Sequence, residues 1–259
     1  MNNETSTREY ASVNVTSGGP PVEMKGVQKA FNDRVILKDL NITIHNGENL
    51  VVLGKSGAGK SVLIKCIVGL VTPDAGEVLV FGKNISDLKN KELNEVRLKI
   101  GFLFQNAALY DSMTVGENLR FPLKHHFKHL TEKEIKSRIY DELDSVGLTE
   151  SFDKMPSELS GGMTKRIGLA RTLILKPEIM LYDEPTTGLD TATAKEISEL
   201  IVSKQKTNKP SSIIITHDMA CAKITADRIV ILKDGVIESE GTYDELAASD
   251  NEWVRMFFN

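Results

Sequence analysis

Cysteine is almost absent. The 259 residues hold only Cys66 and Cys221, and neither belongs to a metal-ligand spacing or a disulfide framework. Both read as buried spectators in a reducing compartment. Long apolar runs are missing as well. Nothing approaches the roughly 18 consecutive apolar residues of a membrane span, and the N-terminus carries no apolar signal region. The expectation is a cytoplasmic chain, with any membrane role borrowed from a partner. Excess positive charge is lacking too: the net charge is −4, which argues against non-specific binding to nucleic acid. The length accommodates one large α/β domain or two small ones, either with a sizeable core.

Gly54-Lys55-Ser56-Gly57-Ala58-Gly59-Lys60-Ser61 is a phosphate loop between an apolar run, Asn49 to Leu53, and a helical one, Ser61 to Leu70. Its glycines permit the tight backbone that turns several N–H groups inward, and no Cβ blocks an approaching anion. Lys60 is placed for the β- and γ-phosphates of a nucleoside triphosphate, and Ser61 offers a hydroxyl to Mg²⁺. The following helix adds the positive end of its dipole.

Residues 1–21 are polar, end in Gly-Pro-Pro and read as a flexible tail. From Val22 onward the chain is expected to form one nucleotide-binding domain. Strand signals at Val22 to Lys29, Val35 to Leu37 and Leu40 to His45 predict a small antiparallel sheet ahead of the loop. A turn at Thr72 to Gly76 leads to a strand at Glu77 to Phe81, then a short helix at Leu93 to Lys99 and a strand at Ile100 to Phe104. Residues 106–160 read as an all-helical insertion, with a capping box at Thr131 to Glu134 and helical spacing of Ile135, Ile139, Leu143 and Val146. Beyond it, helices from Ser160 and Thr191 alternate with strands at Ile179 to Tyr182 and Ser212 to Ile215. Lys233-Asp234-Gly235 marks a hairpin. The alternation implies an α/β fold with a mainly parallel sheet and its site at the C-terminal strand ends.

Asp183-Glu184 follows the apolar strand Ile179 to Tyr182 directly, which puts two carboxylates on the edge facing the nucleotide. Asp183 suits Mg²⁺, and Glu184 is placed to polarise a water that attacks the γ-phosphate. Leu159-Ser160-Gly161-Gly162-Met163 opens a helix with small residues that offer N–H groups and a hydroxyl to an anion. Taken singly, that run is a flexible turn, Gln105 a surface amide and His217 a histidine near a helix cap.

Taken in order, the phosphate loop, Gln105, the helical insertion, Leu159 to Met163, Asp183-Glu184-Pro185, Gly188-Leu189-Asp190 and His217 resemble the ATPase subunit of ABC transporters over Val22 to Asn259. The resemblance implies that Leu159 to Met163 is the signature motif, and that Ser160, Gly161 and Gly162 close on the ATP held by a second copy of the chain. Two chains would sandwich two ATP molecules. Gln105 would contact Mg²⁺, sense the γ-phosphate and link both to a membrane permease. Asp190 would lie in the loop crossing the dimer interface, His217 would touch the γ-phosphate and Phe31 would stack on adenine. Met163 stands where most of the family has Gln, and Phe31 where Tyr is commoner; the ring keeps its π-face.

The stretch from Phe104 through Asn106, Tyr110, Met113 and Leu119 to Leu123 is similar to ATPases of the Mla type, which work with MCE proteins in lipid transport at the bacterial envelope. That implies an ATPase on the inner face of the inner membrane, partnered by an integral permease and an MCE-type lipid-binding protein, with no nucleic acid. Alternatives are the same engine with an amino acid or drug as cargo, a soluble mechanical ATPase, and a phosphotransferase kinase. A single phosphate loop and a short helical insert argue against the mechanical enzyme. A kinase would need neither Ser160 to Met163 nor Glu184 beside Asp183.

Overall fold

The computed structural model describes residues 19–258. The tail expected at residues 1–21 lies outside them except at its end, where the Pro21 carbonyl accepts a hydrogen bond from Phe81 N at 2.9 Å. The chain then forms a hairpin, β1 (Val22–Phe31) and β2 (Arg34–Ile44), reversed at Asn32, whose φ is 52°. The two short runs expected around Val35 and Leu40 are a single strand. Asp39, at φ 50°, sits where the pairing register jumps, so the interruption is a bulge rather than a break.

β3 (Asn49–Leu53) is buried along its whole length and delivers the chain to the phosphate loop and α1 (Lys60–Ile67). β4 (Ala75–Val80) and β5 (Lys83–Asn84) then return to the hairpin, giving an antiparallel sheet in the order β2-β1-β4-β5. This corrects the expectation that the small sheet is complete before the loop. Val22 faces Val80 and Met24 faces Val78 across β1 and β4, and all four are buried, so part of that sheet's core comes from after the loop.

α2 (Asn90–Arg97) leads to β6 (Ile100–Leu103). Three helices follow: α3 (Val115–His126), α4 (Glu132–Asp144) and α5 (Gly161–Leu173). They share a hydrophobic cluster that includes Leu119 and Leu123 of α3, Ile135, Ile139 and Leu143 of α4, and Ile167 and Ala170 of α5. The α4 capping box is formed, Thr131 N donating to Glu134 Oε2 at 2.8 Å and Glu134 N to Thr131 Oγ1 at 3.3 Å. The remaining elements are β7 (Ile179–Asp183), α6 (Thr191–Asn208), β8 (Ser211–Ile215), α7 (Met219–Thr225), β9 (Arg228–Lys233), β10 (Val236–Gly241), α8 (Tyr243–Ala247) and α9 (Glu252–Arg255).

The larger sheet runs β10-β9-β3-β8-β7-β6. β9, β3, β8, β7 and β6 are parallel, and β10 adds antiparallel at the edge through the Asp234-Gly235 turn, whose φ values are 49° and 84°. Because β3 and β7 flank β8, the segments leaving β3, β8, β7 and β6 emerge side by side along one sheet edge.

Candidate functional site

At that edge a cavity of about 740 Å³ gathers Gly54, Lys55, Ser56, Gly57, Gly59, Lys60 and Ser61 with Gln105, Asp183, Glu184 and His217. Four strand ends contribute, which is why residues as distant in sequence as Gly54 and His217 meet. Two loop glycines are required by contact as well as by conformation. A Cβ on Gly54, at φ 156°, would stand 2.5 Å from the Leu232 carbonyl oxygen, and one on Gly59, at φ 107°, would stand 2.8 Å from Leu37 Cδ2. The loop is thus seated against β9 and β2, with room for an anion on its open side.

Lys60 donates to the carbonyls of Gly54 at 2.7 Å and Lys55 at 3.3 Å. Burial lowers its pKa, while the charges of Glu184 and Asp183 act the other way. Asp183 is shifted upward by burial and then by its neighbour Glu184. Glu184 lies at φ 52°, a left-handed backbone that is unusual for a non-glycine residue. Its N–H donates to Ile215 O at 2.9 Å. Its Oε2 accepts from Thr187 Oγ1 at 3.1 Å and lies 2.8 Å from His217 Nδ1, so the two residues after β7 and β8 touch directly.

Among the described residues no group of three His, Cys, Asp or Glu side chains makes a metal site of its own. Ser61, Gln105 and Asp183 nonetheless line one cavity with oxygen donors. That set, with one carboxylate, fits a hard cation such as Mg²⁺, which takes one or two carboxylates and completes its shell with other oxygens, water and substrate phosphates.

Six sequence candidates stand outside the cavity wall: Phe31, Ala58, Ser160, Gly161, Gly162 and Asp190. Ala58 is buried under the loop. Phe31, 46% exposed, ends β1 and faces Arg34 across the hairpin, so the expected adenine-stacking ring is not part of the wall. Ser160 caps α5, accepting from Met163 N at 3.3 Å. Gly162 allows α5 to meet the start of α6, since a Cβ there would stand 2.5 Å from Thr193 Cγ2. Asp190 caps α6, accepting from Ala192 N and Thr193 N at 3.1 Å each, and its hydrogen bonds from Thr193 lower its pKa.

Sequence reasoning missed Arg34, Ile36, Val62, Ile215 and Phe257, which complete the lining. The i, i+2 spacing of Arg34 and Ile36 on a strand next to Phe31 was a usable signal. Phe257 carried none, because its position depends on the path of the chain after β10. Cys66 and Cys221 are buried free thiols, and burial raises the Cys66 pKa to about 11.

A phosphate loop between β3 and α1, carboxylates ending β7 and a histidine following β8, on a mainly parallel sheet with antiparallel and helical additions, define an ATP-binding cassette. The chain matches the family model described as ABC transporter over residues 37–187, and it belongs to that family as an ATP-binding subunit that hydrolyses ATP. It is 39% identical over 241 residues to the probable ribonucleotide transport ATP-binding protein mkl of Mycobacterium leprae, a match covering 93% of this chain and 69% of that protein. It is 37% identical over 236 residues to the intermembrane phospholipid transport system ATP-binding protein MlaF of Haemophilus influenzae, covering 91% of this chain and 89% of that one. Among solved structures it is similar to the ATP-binding cassette MJ0796, a dimer in a post-hydrolysis state bound to ADP and Pi, with a TM-score of 0.78 and 33% identity over 85% of this chain and 98% of the other.

Proposed function

We propose that this ATPase powers phospholipid or lipid transport at the bacterial envelope. It acts as a homodimer on the inner face of the inner membrane, beneath an integral permease and with an MCE-type lipid-binding protein in the complex. The observation that carries the lipid reading is the similarity to MlaF along nearly the full length of both proteins. The Phe104 to Leu123 stretch supports it. Tyr110 and Phe121 are each 45% exposed and pack edge to face at 5.2 Å beside a cavity of about 480 Å³, suited to an apolar helix of a permease. A second reading, the same engine with a nucleotide cargo, draws on the name of the mycobacterial relative.

In this reading Lys60 turns from the loop carbonyls to the β- and γ-phosphates, with Gly54 to Ser61 supplying backbone donors. Ser61, Gln105 and Asp183 would hold Mg²⁺. When bound, that ion neutralises charge on the phosphate oxygens. Glu184 orients and polarises the attacking water, and His217, already against the Glu184 carboxylate, faces the γ-phosphate. Phe31, outside the wall but paired across the hairpin with Arg34 of the lining, is the ring offered to adenine. Ser160, Gly161 and Gly162, outside their own chain's cavity, present donors to the ATP of a second copy, with Asp190 at the shared interface.

The test is purification of the chain with its membrane partners from gently solubilised native membranes. Phospholipid in the co-purified complex, together with ATPase activity that rises when phospholipid is supplied, is the expected result. A complex that carries and responds to a nucleotide or amino acid instead, and ignores lipid, overturns it.

A further inference from the structure

Lys165 is a lysine in a place where lysines are rare. It lies on α5 and is 6% exposed. Its ammonium donates to the backbone carbonyls of two residues, Gln105 and Glu184, the latter at 3.2 Å. These belong to different strands: Gln105 lies just beyond β6 and Glu184 just beyond β7, and β6 and β7 pair in parallel, Leu103 facing Tyr182. Among the described residues no carboxylate pairs directly with Lys165, although Asp183 and Glu184 act on it through their charge. Burying an ammonium costs free energy, so a surface-type cation held inside by two carbonyls calls for a specific explanation.

Glu184 supplies one. Its left-handed φ of 52° is strained for a residue that carries a Cβ, a conformation that persists only where neighbours hold it. Three contacts hold its backbone: the N–H donates to Ile215 O, and the carbonyl accepts from Thr187 N at 3.3 Å within the local turn and from Lys165 Nζ at 3.2 Å, the one tie to α5. The side chain direction follows from that backbone. The same helix begins at the Ser160 cap, a little over one turn before Lys165.

We propose that Lys165 is a positioning residue for hydrolysis: it ties α5 to the backbone of both Gln105 and Glu184 and so holds the Glu184 carboxylate where it addresses the cavity. The assignment rests on Glu184 being the residue that polarises water. Lys165 reaches no substrate position itself. A shift of the α5 start, where Ser160 and Gly162 lie, is transmitted to both strand ends through one side chain.

The test compares K165M, K165R and K165Q of the full chain with wild type, measuring kcat and KM for MgATP, equilibrium nucleotide affinity and the thermal midpoint. K165M removes the donors at nearly constant volume. Its kcat is expected to fall about 10- to 100-fold, with KM and nucleotide affinity within about threefold of wild type. K165R, which keeps the donors, restores most of the turnover, and K165Q lies between. A folded K165M with wild-type kcat overturns the proposal. So does loss of kcat and affinity together, or a folded K165R no better than K165M. If K165M does not fold, K165Q decides: wild-type kcat overturns and intermediate kcat supports. Failure of all three to fold makes Lys165 a purely structural residue and also overturns it. E184Q serves as the separate control, because near-normal hydrolysis there refutes the role of Glu184 whatever the Lys165 variants do.

Discussion

Among the described residues Lys60 has only backbone carbonyls as hydrogen-bond partners, those of Gly54 and Lys55, so its charge can be redirected to phosphate without breaking an ion pair with any of them. Removing it in K60A forfeits charge-assisted hydrogen bonds worth about 3 kcal/mol, or more than 100-fold in ATP affinity. Equilibrium binding of a fluorescent ATP analogue checks this, and wild-type affinity would contradict the site. Glu184 is held differently, by Thr187 and His217 through one carboxylate oxygen. In E184Q the amide still hydrogen-bonds water but accepts no proton, so phosphate release should slow by about 10²- to 10⁴-fold while nucleotide affinity is kept. The loop and the paired carboxylates were legible in the sequence because each is a short local pattern at the end of an apolar strand. Phe257 was not, because the path of the chain after β10, and not the neighbouring residues, brings it to the cavity.

Between elements, the segment after Gln105 is organised by one side chain. Asn118, fully buried on α3, accepts from Tyr110 N at 2.8 Å and donates to the carbonyls of Tyr110 and Met113 at 3.1 Å and Thr114 at 3.0 Å. N118A strands those groups and should cost about 3 kcal/mol, seen as a lower urea midpoint with an unchanged slope. The small sheet is fastened by Arg228 of β9, which donates to Glu48 at 2.6 Å and to the carbonyl of Thr43 in β2. Burial alone would raise the Glu48 pKa, but its hydrogen bonds from Arg228 and His45 N leave it below the ordinary 4.5. A carboxylate with a depressed folded pKa stabilises above its unfolded pKa and loses that contribution as pH falls through the folded value. Wild type should therefore lose stability on acidification below about pH 4.5 more steeply than R228M does; parallel acid limbs in urea melts would contradict this. The capping box of α4 and the burial of β3, β7 and β8 were readable from composition and periodicity. The return of β4 to β1 was not, because pairing across the phosphate loop is a long-range choice with no local sign.

For the whole molecule, two surfaces must act together: one that meets a second copy and one that meets a permease. Among the described residues no helix is long and apolar enough to cross a membrane. The exposed rings of Tyr110 and Phe121 form the proposed docking surface for a membrane partner, whereas Leu109 packs inward against two core clusters. Y110D should weaken permease association and permease-stimulated turnover while the isolated chain keeps its fold and ATP affinity. A fully assembled, fully stimulated complex would put the docking surface elsewhere. The central claim is that the ATP site is completed by another copy, since Ser160, Gly161 and Gly162 do not line their own chain's cavity. Light scattering of E184Q in MgATP tests it most directly. The account predicts a doubling of mass that ATP produces and ADP reverses, and that the added change S160R abolishes; a chain that remains monomeric at saturating ATP would contradict it.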